Sequence, residues 1–255
     1  MLNRASLVIA AVAALGLGTC AYLVHAEDQS APAAAAVELP KADADGFIPM
    51  FDGKSLDGWQ GLEGYWSVKD GVISGHETKD KSKQTFLIYT AMPSVSNFEM
   101  RFSYRFATDD GNSGVQFRSK IIDPKTDRVG GYQADFDGRG GYDGSIYDEA
   151  GVAGGRGTMS NRGEKTVWNA DNERMNTPLP ESKGLSKIVH HKGWNECVVV
   201  ADGPRVTYSI NGRLTTEMND ESPKALKSGV IALQLHAGFT MEIQFKDLKI
   251  KRLHK

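Results

Sequence analysis

Residues 114–119 read GVQFRS and residues 132–136 read YQADF. In both, apolar and polar side chains alternate strictly, which is the period of a strand with one buried face. Val115 and Phe117 point one way while Gln116 and Arg118 point the other; Tyr132, Ala134 and Phe136 oppose Gln133 and Asp135. The pattern returns in SIYDE (145–149), where Ile146 opposes Ser145, Tyr147 and Glu149. It returns again in IALQLH (231–236), where Ile231, Leu233 and Leu235 oppose Ala232, Gln234 and His236. Four strands thus carry an apolar row on one face and Gln, Arg, Asp, Glu, Tyr or His on the other.

Outward from these four, further β-rich runs at 65–68, 71–74, 85–89, 98–106, 196–201, 205–210 and 239–250 stand between Gly, Asn and Asp punctuation. Asp70-Gly71 and Asn211-Gly212 each join two such runs, the strongest short signal for a tight hairpin. Long amphipathic helical patterns are missing, with room for one helical turn in 185–191. Many short antiparallel strands on this length predict an all-β jelly-roll sandwich. The stretch 151–191 is the exception. Rich in Gly, Asn, Arg and Lys, it reads as a long loop, either a rim over the sheet or a surface excursion.

The other end of the chain is of a different kind. Residues 1–26 read as a secretory signal peptide: Arg4, then the apolar run LVIAAVAALGL, then Val24-His25-Ala26 before Glu27. Two alternatives stay open, an uncleaved membrane anchor over 7–24 and a lipoprotein-type signal ending at Cys20. Either way the protein is expected to be exported: periplasmic, secreted or held at the cell envelope. Residues 27–45 form an Ala/Pro-rich linker. From residue 46 to 255 neither a second linker nor a repeat interrupts the chain, so a single domain is expected.

Composition removes several classes. With 40% hydrophobic and 24% charged residues over 255, the chain is neither disordered nor fibrous. A formal charge of −2 without clustered cations gives no nucleic-acid surface. Cys197, beside an apolar run, reads as a buried small hydrophobe. GRGGYDG (138–144) and GVAGGRG (151–157) lack the lysine and hydroxyl pair of a phosphate loop and read as turns. His190 and His191 are adjacent, face opposite ways on a strand and make a poor chelating pair; no metal ligands are assigned. Asp135, Asp137, Asp143 and Asp148 form a carboxylate-rich stretch, either solvated turns or a structural calcium site without EF-hand spacing. No other cofactor is expected.

What sets the polar face apart is its choice of residues. Solvated sheet faces use Lys, Glu and Thr, whereas these rows use amides, aromatics, an Arg and a His. Such groups offer directional hydrogen bonds and flat stacking surfaces, which sugar hydroxyls and ring faces require. A carbohydrate cleft is the expectation.

These stretches resemble the DUF1080 family, also called the 3-keto-disaccharide hydrolase domain, over residues 46–253. The resemblance is carried in order by FIPMFDGKSLDGWQG (47–61), WSVKDG (66–71), NSGVQFR (112–118), GYQADF (131–136), GSIYDE (144–149), GWNECVVVADGPRVTYSING (193–212), GVIALQLHAG (229–238) and FKDLKI (245–250). It implies a concanavalin A-like jelly roll, an exported bacterial protein, and cleavage of 3-keto-glycosides. Many relatives carry Tyr-Glu where this chain has Tyr132-Gln133, a departure that, if that glutamate is catalytic in them, either removes activity from this chain or moves the role to Asp135. A C3 ketone acidifies the C2 proton, so a base can remove it and expel the C1 aglycone before water adds back. Asp135 or Glu149 is the candidate base, with Arg118 and His236 as enolate donor and acid. Gln116, Gln133, Tyr147, Gln234 and Asn112 are candidates for holding hydroxyls. The competing readings are a non-catalytic sugar-binding module and an envelope protein tethered by its linker. A membrane partner is expected only if the N-terminal segment stays in place.

Overall fold

The computed structural model describes residues 39–78 and 83–253. The export signal and most of the linker lie outside the described residues. Among those described, no helix is long and apolar enough to cross a membrane.

The strands, in chain order, are β1 (Ile48–Pro49), β2 (Trp59–Gln60), β3 (Trp66–Lys69), β4 (Val72–Glu77), β5 (Thr85–Tyr89), β6 (Phe98–Phe106), β7 (Asn112–Asp123), β8 (Arg128–Asp137) and β9 (Ser145–Glu149). They continue with β10 (Thr158–Ser160), β11 (Glu164–Trp168), β12 (Arg174–Pro178), β13 (Asn195–Asp202), β14 (Arg205–Ile210), β15 (Arg213–Asp220), β16 (Val230–Leu235) and β17 (Met241–Arg252). They form two sheets. The larger runs β12-β11-β15-β14-β13-β6-β17-β4-β3, with β1 added to β17; the smaller runs β10-β9-β8-β7-β16-β5-β2. Pairing is antiparallel except between β11 and β15. This is the expected all-β sandwich.

The apolar rows read from the sequence close the sandwich. Val115, Phe117, Tyr132, Ala134, Phe136, Ile146, Leu233 and Leu235 of the small sheet pack with Phe102, Tyr104, Ile243 and Phe245 of the large one. Tyr104 and Phe136 stack at 3.9 Å between centroids across that interior. Both predicted hairpins form, and their turn residues have the positive φ that such tight turns need: 52° and 77° at Asp70-Gly71, 48° and 74° at Asn211-Gly212.

The stretch 151–191 departs from expectation. It is not a loop; it holds β10, β11 and β12, and Trp168 is buried with Nε1–H donating to the Met159 carbonyl at 3.0 Å. These strands are three to five residues long and mostly polar outward, so their alternation is too brief to stand out. β15 escapes the pattern for a different reason: RLTTEMND buries threonines and a methionine rather than an apolar row.

Candidate active site

The outer face of the small sheet departs from an ordinary solvated face because it is sequestered. Gln116 and Gln234 have no exposure, and Gln133, Asp135 and Glu149 retain 2%, 5% and 6%. One half of the face is roofed by the β7–β8 hairpin. Its tip folds over β5 and β2, where Thr85 Oγ1–H of β5 donates to the Thr126 carbonyl and Gln60 Nε2–H of β2 to Asp127 Oδ1. Beneath it Val129 packs on Phe86, Ile88, Val230 and Ala232. The other half stays open as a cleft of about 510 Å³, lined among others by Asn112, Gln133, Asp135, Tyr147, Glu149 and His236.

Strand register explains the grouping. Asp135 on β8 stands between Gly114 on β7 and Ser145 on β9, and Gln133 stands between Gln116 and Tyr147. Gly114 carries no side chain, and Gln133 lies over it: a Cβ there would come within 2.4 Å of Gln133 Cγ. So placed, Gln133 links a hydrogen-bonded series. Ser119 Oγ–H donates to Gln116 Oε1, Gln116 Nε2–H to Gln133 Oε1, and Gln133 Nε2–H to Asp135 Oδ1 at 3.1 Å. Burial pushes the Asp135 carboxyl well above the usual carboxylate range, against that bond; the charges of Asp137 and Glu149 push the same way as burial.

Glu149 is held differently. Gln84 Nε2–H donates to its Oε1 at 2.6 Å, Gln234 Nε2–H to its Oε2 at 3.1 Å, and Arg128 lies 3.7 Å from Oε1. Burial again raises its pKa, while Arg128, His236 and the two amides hold it down. Two carboxylates of one cleft therefore sit in unlike settings, one nearly stripped of donors and one surrounded by them. His236 Nδ1 lies 2.7 Å from the Ala237 carbonyl, which can only accept, so Nδ1 carries a proton, and Nε2 is an acceptor whenever the ring is neutral. Tyr147 is 36% exposed and offers its ring and hydroxyl to the cleft.

Residues 46–251 match the family described as the 3-keto-alpha-glucoside-1,2-lyase-like domain. The chain belongs to this family.

Among other proteins, the 3-keto-disaccharide hydrolase of Bacteroides thetaiotaomicron is 29% identical over 99 residues, 35% of this chain and 32% of that one. The match thus spans about a third of the relative's length. The fold is similar to a Parabacteroides distasonis crystal structure provisionally named a glycosyl hydrolase, with TM-score 0.50, 19% identity, and 85% and 100% of the two chains covered. It is equally similar to the carbohydrate-binding module CBM66 of Bacillus subtilis, with TM-score 0.50, 15% identity, and 76% and 95% covered. At these identities the likeness is one of fold.

In this member of the 3-keto-alpha-glucoside-1,2-lyase-like family, the sequence-predicted residues divide into three groups. Asp135, Glu149, His236, Gln133, Tyr147 and Asn112 line the cleft. Gln116 and Gln234 are outside its lining and fully buried, hydrogen-bonded to Gln133 and Glu149. Arg118 is elsewhere. A bulge between Phe117 and Lys120 and a φ of 49° at Arg118 turn it off the polar row. Its guanidinium instead donates to the carbonyls of Ser96, Gly203 and Leu226 and to Asn97 Oδ1. The cleft residues that the sequence reading missed are Gln84, Arg128, Tyr142 and Thr158. Arg128 had no legible signal, since the β8 alternation carried backwards puts it in phase with Tyr132, Ala134 and Phe136, the core row.

The four aspartates considered for calcium have separate partners. Asp137 accepts backbone N–H groups of Arg139, Gly141 and Tyr142, and Asp148 those of Ala153 and Arg156. Asp143 accepts from Tyr104.

Proposed function

We propose that this cleft cleaves 3-keto-glycosides by elimination followed by hydration. The observation that carries the reading is the pair Asp135 and Glu149: two buried carboxylates on one concave face, both shifted upward by burial but opposed unequally, Glu149 by Arg128, His236 and two amides and Asp135 chiefly by Gln133. Environments that separate two carboxyl pKa values suit one group to act as base and the other as acid.

Glu149, held toward its ionised form by Gln84, Gln234 and Arg128, takes the proton from C2. The C–H electron pair moves to the C3 carbonyl oxygen as an enolate, beside the Arg128 guanidinium. Its return breaks the C1–O bond and leaves a C1=C2 double bond conjugated to the ketone. Asp135, protonated, gives its proton to the departing oxygen. Water then adds at C1, with His236 Nε2 as the acceptor of its proton, and C2 is reprotonated; the net change is hydrolysis. Arg128 thus takes the donor role that the sequence reading had given to Arg118. The N-terminal leader supports a site of action outside the cytoplasm.

A sugar-binding module is the second reading, favoured by the aromatic faces of Tyr142 and Tyr147 at the cleft mouth. One experiment separates the two: purified protein is given a chromogenic 3-keto-glucoside and the matching glucoside. Release from the keto substrate alone, lost in Glu149→Gln, is the expected result. Release from both substrates points to ordinary glycosidase chemistry, and binding without release from either points to the module.

A further inference from the structure

The glycine-rich segment 138–144, GRGGYDG, builds something the elimination reading does not use. Beside the carboxylate cleft lies a second compartment of about 420 Å³, and Asn112 and Tyr142 line both. Tyr142 is 56% exposed and forms the shared wall; Phe239 lines the far compartment and meets the His236 ring edge-on at 5.6 Å. The two spaces are therefore neighbours, separated by Tyr142 and Asn112, and the second lies beyond the carboxylate cleft.

Its chemistry is that of binding. Asp110 accepts from Arg139 Nη2–H at 2.6 Å and from the Gly111 N–H, so its carboxylate is engaged. Asp137 is occupied by three backbone N–H groups. Gly111 and Gly141 contribute only backbone to its lining. What remains for an occupant is two aromatic rings, the flat Arg139 guanidinium beyond its one bond to Asp110 and, at the boundary, the Asn112 amide, for which the described residues supply no hydrogen-bond partner.

We propose that this compartment is the aglycone subsite and that it selects glycosides whose leaving group is a planar aromatic alcohol. The inference rests on the cleft reading above, which seats the sugar at Asp135 and Glu149. A sugar leaving group would bring several hydroxyls to a wall whose carboxylates are already engaged. An aryl ring needs stacking surface, which Tyr142 and Phe239 provide. Asn112 is placed to donate to the glycosidic oxygen between the two spaces.

The test uses binding, so that it stands apart from turnover. Affinities of phenyl glucoside, methyl glucoside and a glucosyl-glucose disaccharide of matching anomeric configuration are measured by calorimetry on the full chain. The phenyl compound should bind roughly tenfold more tightly than either of the others. In Tyr142→Ala and in Phe239→Leu the phenyl-to-methyl ratio should fall to near one. Equal affinities in the unaltered protein, a preference for the disaccharide, or a phenyl preference that survives both substitutions would overturn the proposal. Failure of the elimination reading has a different signature: the phenyl preference is intact while the 3-keto substrate releases nothing.

Discussion

Gln234 and Glu149 meet through a 3.1 Å hydrogen bond although two strands, β7 and β8, lie between theirs. In a flat sheet those strands would run about 14 Å apart. The contact therefore requires the small sheet to curl toward its polar face, and that concavity turns a row of alternate residues into a cleft. It also shelters the carboxylates from water, which is why burial is the largest cause of both upward shifts.

Replacing the proposed base tests the chemistry directly. Glu149→Gln keeps the shape but removes the charge, and should lower kcat/KM on a 3-keto-glucoside by roughly 10²–10⁴-fold. Two amide donors, Gln84 and Gln234, then face a side chain with one acceptor oxygen, so stability should fall by about 1 kcal/mol. A denaturant titration beside the rate assay separates the two effects. Activity retained within a few-fold would remove Glu149 from the base role.

The pH profile follows from the same pair. A base works ionised, so the rate rises as pH climbs through the Glu149 pKa; an acid works protonated, so it falls as pH climbs through that of Asp135. Both shifts are upward, so kcat/KM should be bell-shaped with both limbs above the usual carboxylate range. Asp135→Asn should flatten the alkaline limb and leave the acid limb in place. An unchanged alkaline limb would assign that ionisation to another group.

Gly114→Ala probes the series that holds Asp135. Its added methyl must displace Gln133, which lies 2.4 Å from the Cβ position, and with it the bond to Asp135. Overpacking of this kind costs about 1–3 kcal/mol. The expected variant melts earlier and loses activity beyond what its folded fraction explains; normal activity at a lowered melting temperature would mean that Gln133 does not position Asp135.

The sequence showed the sandwich and the polar face because alternation is local: Val115 and Phe117 report the core, Gln133 and Asp135 the opposite side. It could not show that the face is buried, since the roof is the tip of the β7–β8 hairpin, a tertiary contact with β5. Nor could it remove Arg118, whose place in the alternation looked regular until a bulge turned the backbone. Gln84 was hidden for a third reason. It precedes β5 and reaches Glu149, 65 positions away, with nothing in its neighbours to mark it.

Arg118 offers a check on that correction. Arg118→Met leaves the carbonyls of Ser96, Gly203 and Leu226 without their guanidinium donor, while Asn97 Oδ1 keeps the Gly203 N–H. Stability should drop by on the order of 3 kcal/mol. Because the guanidinium lies outside the cleft, kcat/KM per folded molecule should hold, as active-site titration on the soluble fraction would reveal. A specific loss of turnover with stability intact would return Arg118 to the site.

Asp143 gives the sharpest pH-dependent stability. It sits behind Tyr142, accepts from the Tyr104 hydroxyl at 2.9 Å and from the Asp137 N–H, and its Oδ2 has no hydrogen-bond partner. Burial, with the Asp137 charge, pushes its pKa from 3.8 up to about 6. The folded value is raised, so the protonated carboxyl is favoured by folding. That contribution is complete below the unfolded pKa and is lost as pH rises through 6. A shift of this size corresponds to roughly 3 kcal/mol. Asp143→Asn keeps an acceptor for Tyr104 and has no proton to lose, so its stability relative to the unaltered protein should climb between pH 4 and pH 7 and then level. Melting temperatures of the two proteins across that range measure the difference directly. A flat difference would mean that Asp143 is ionised at little cost in the fold, and that its unpaired oxygen is reached by water.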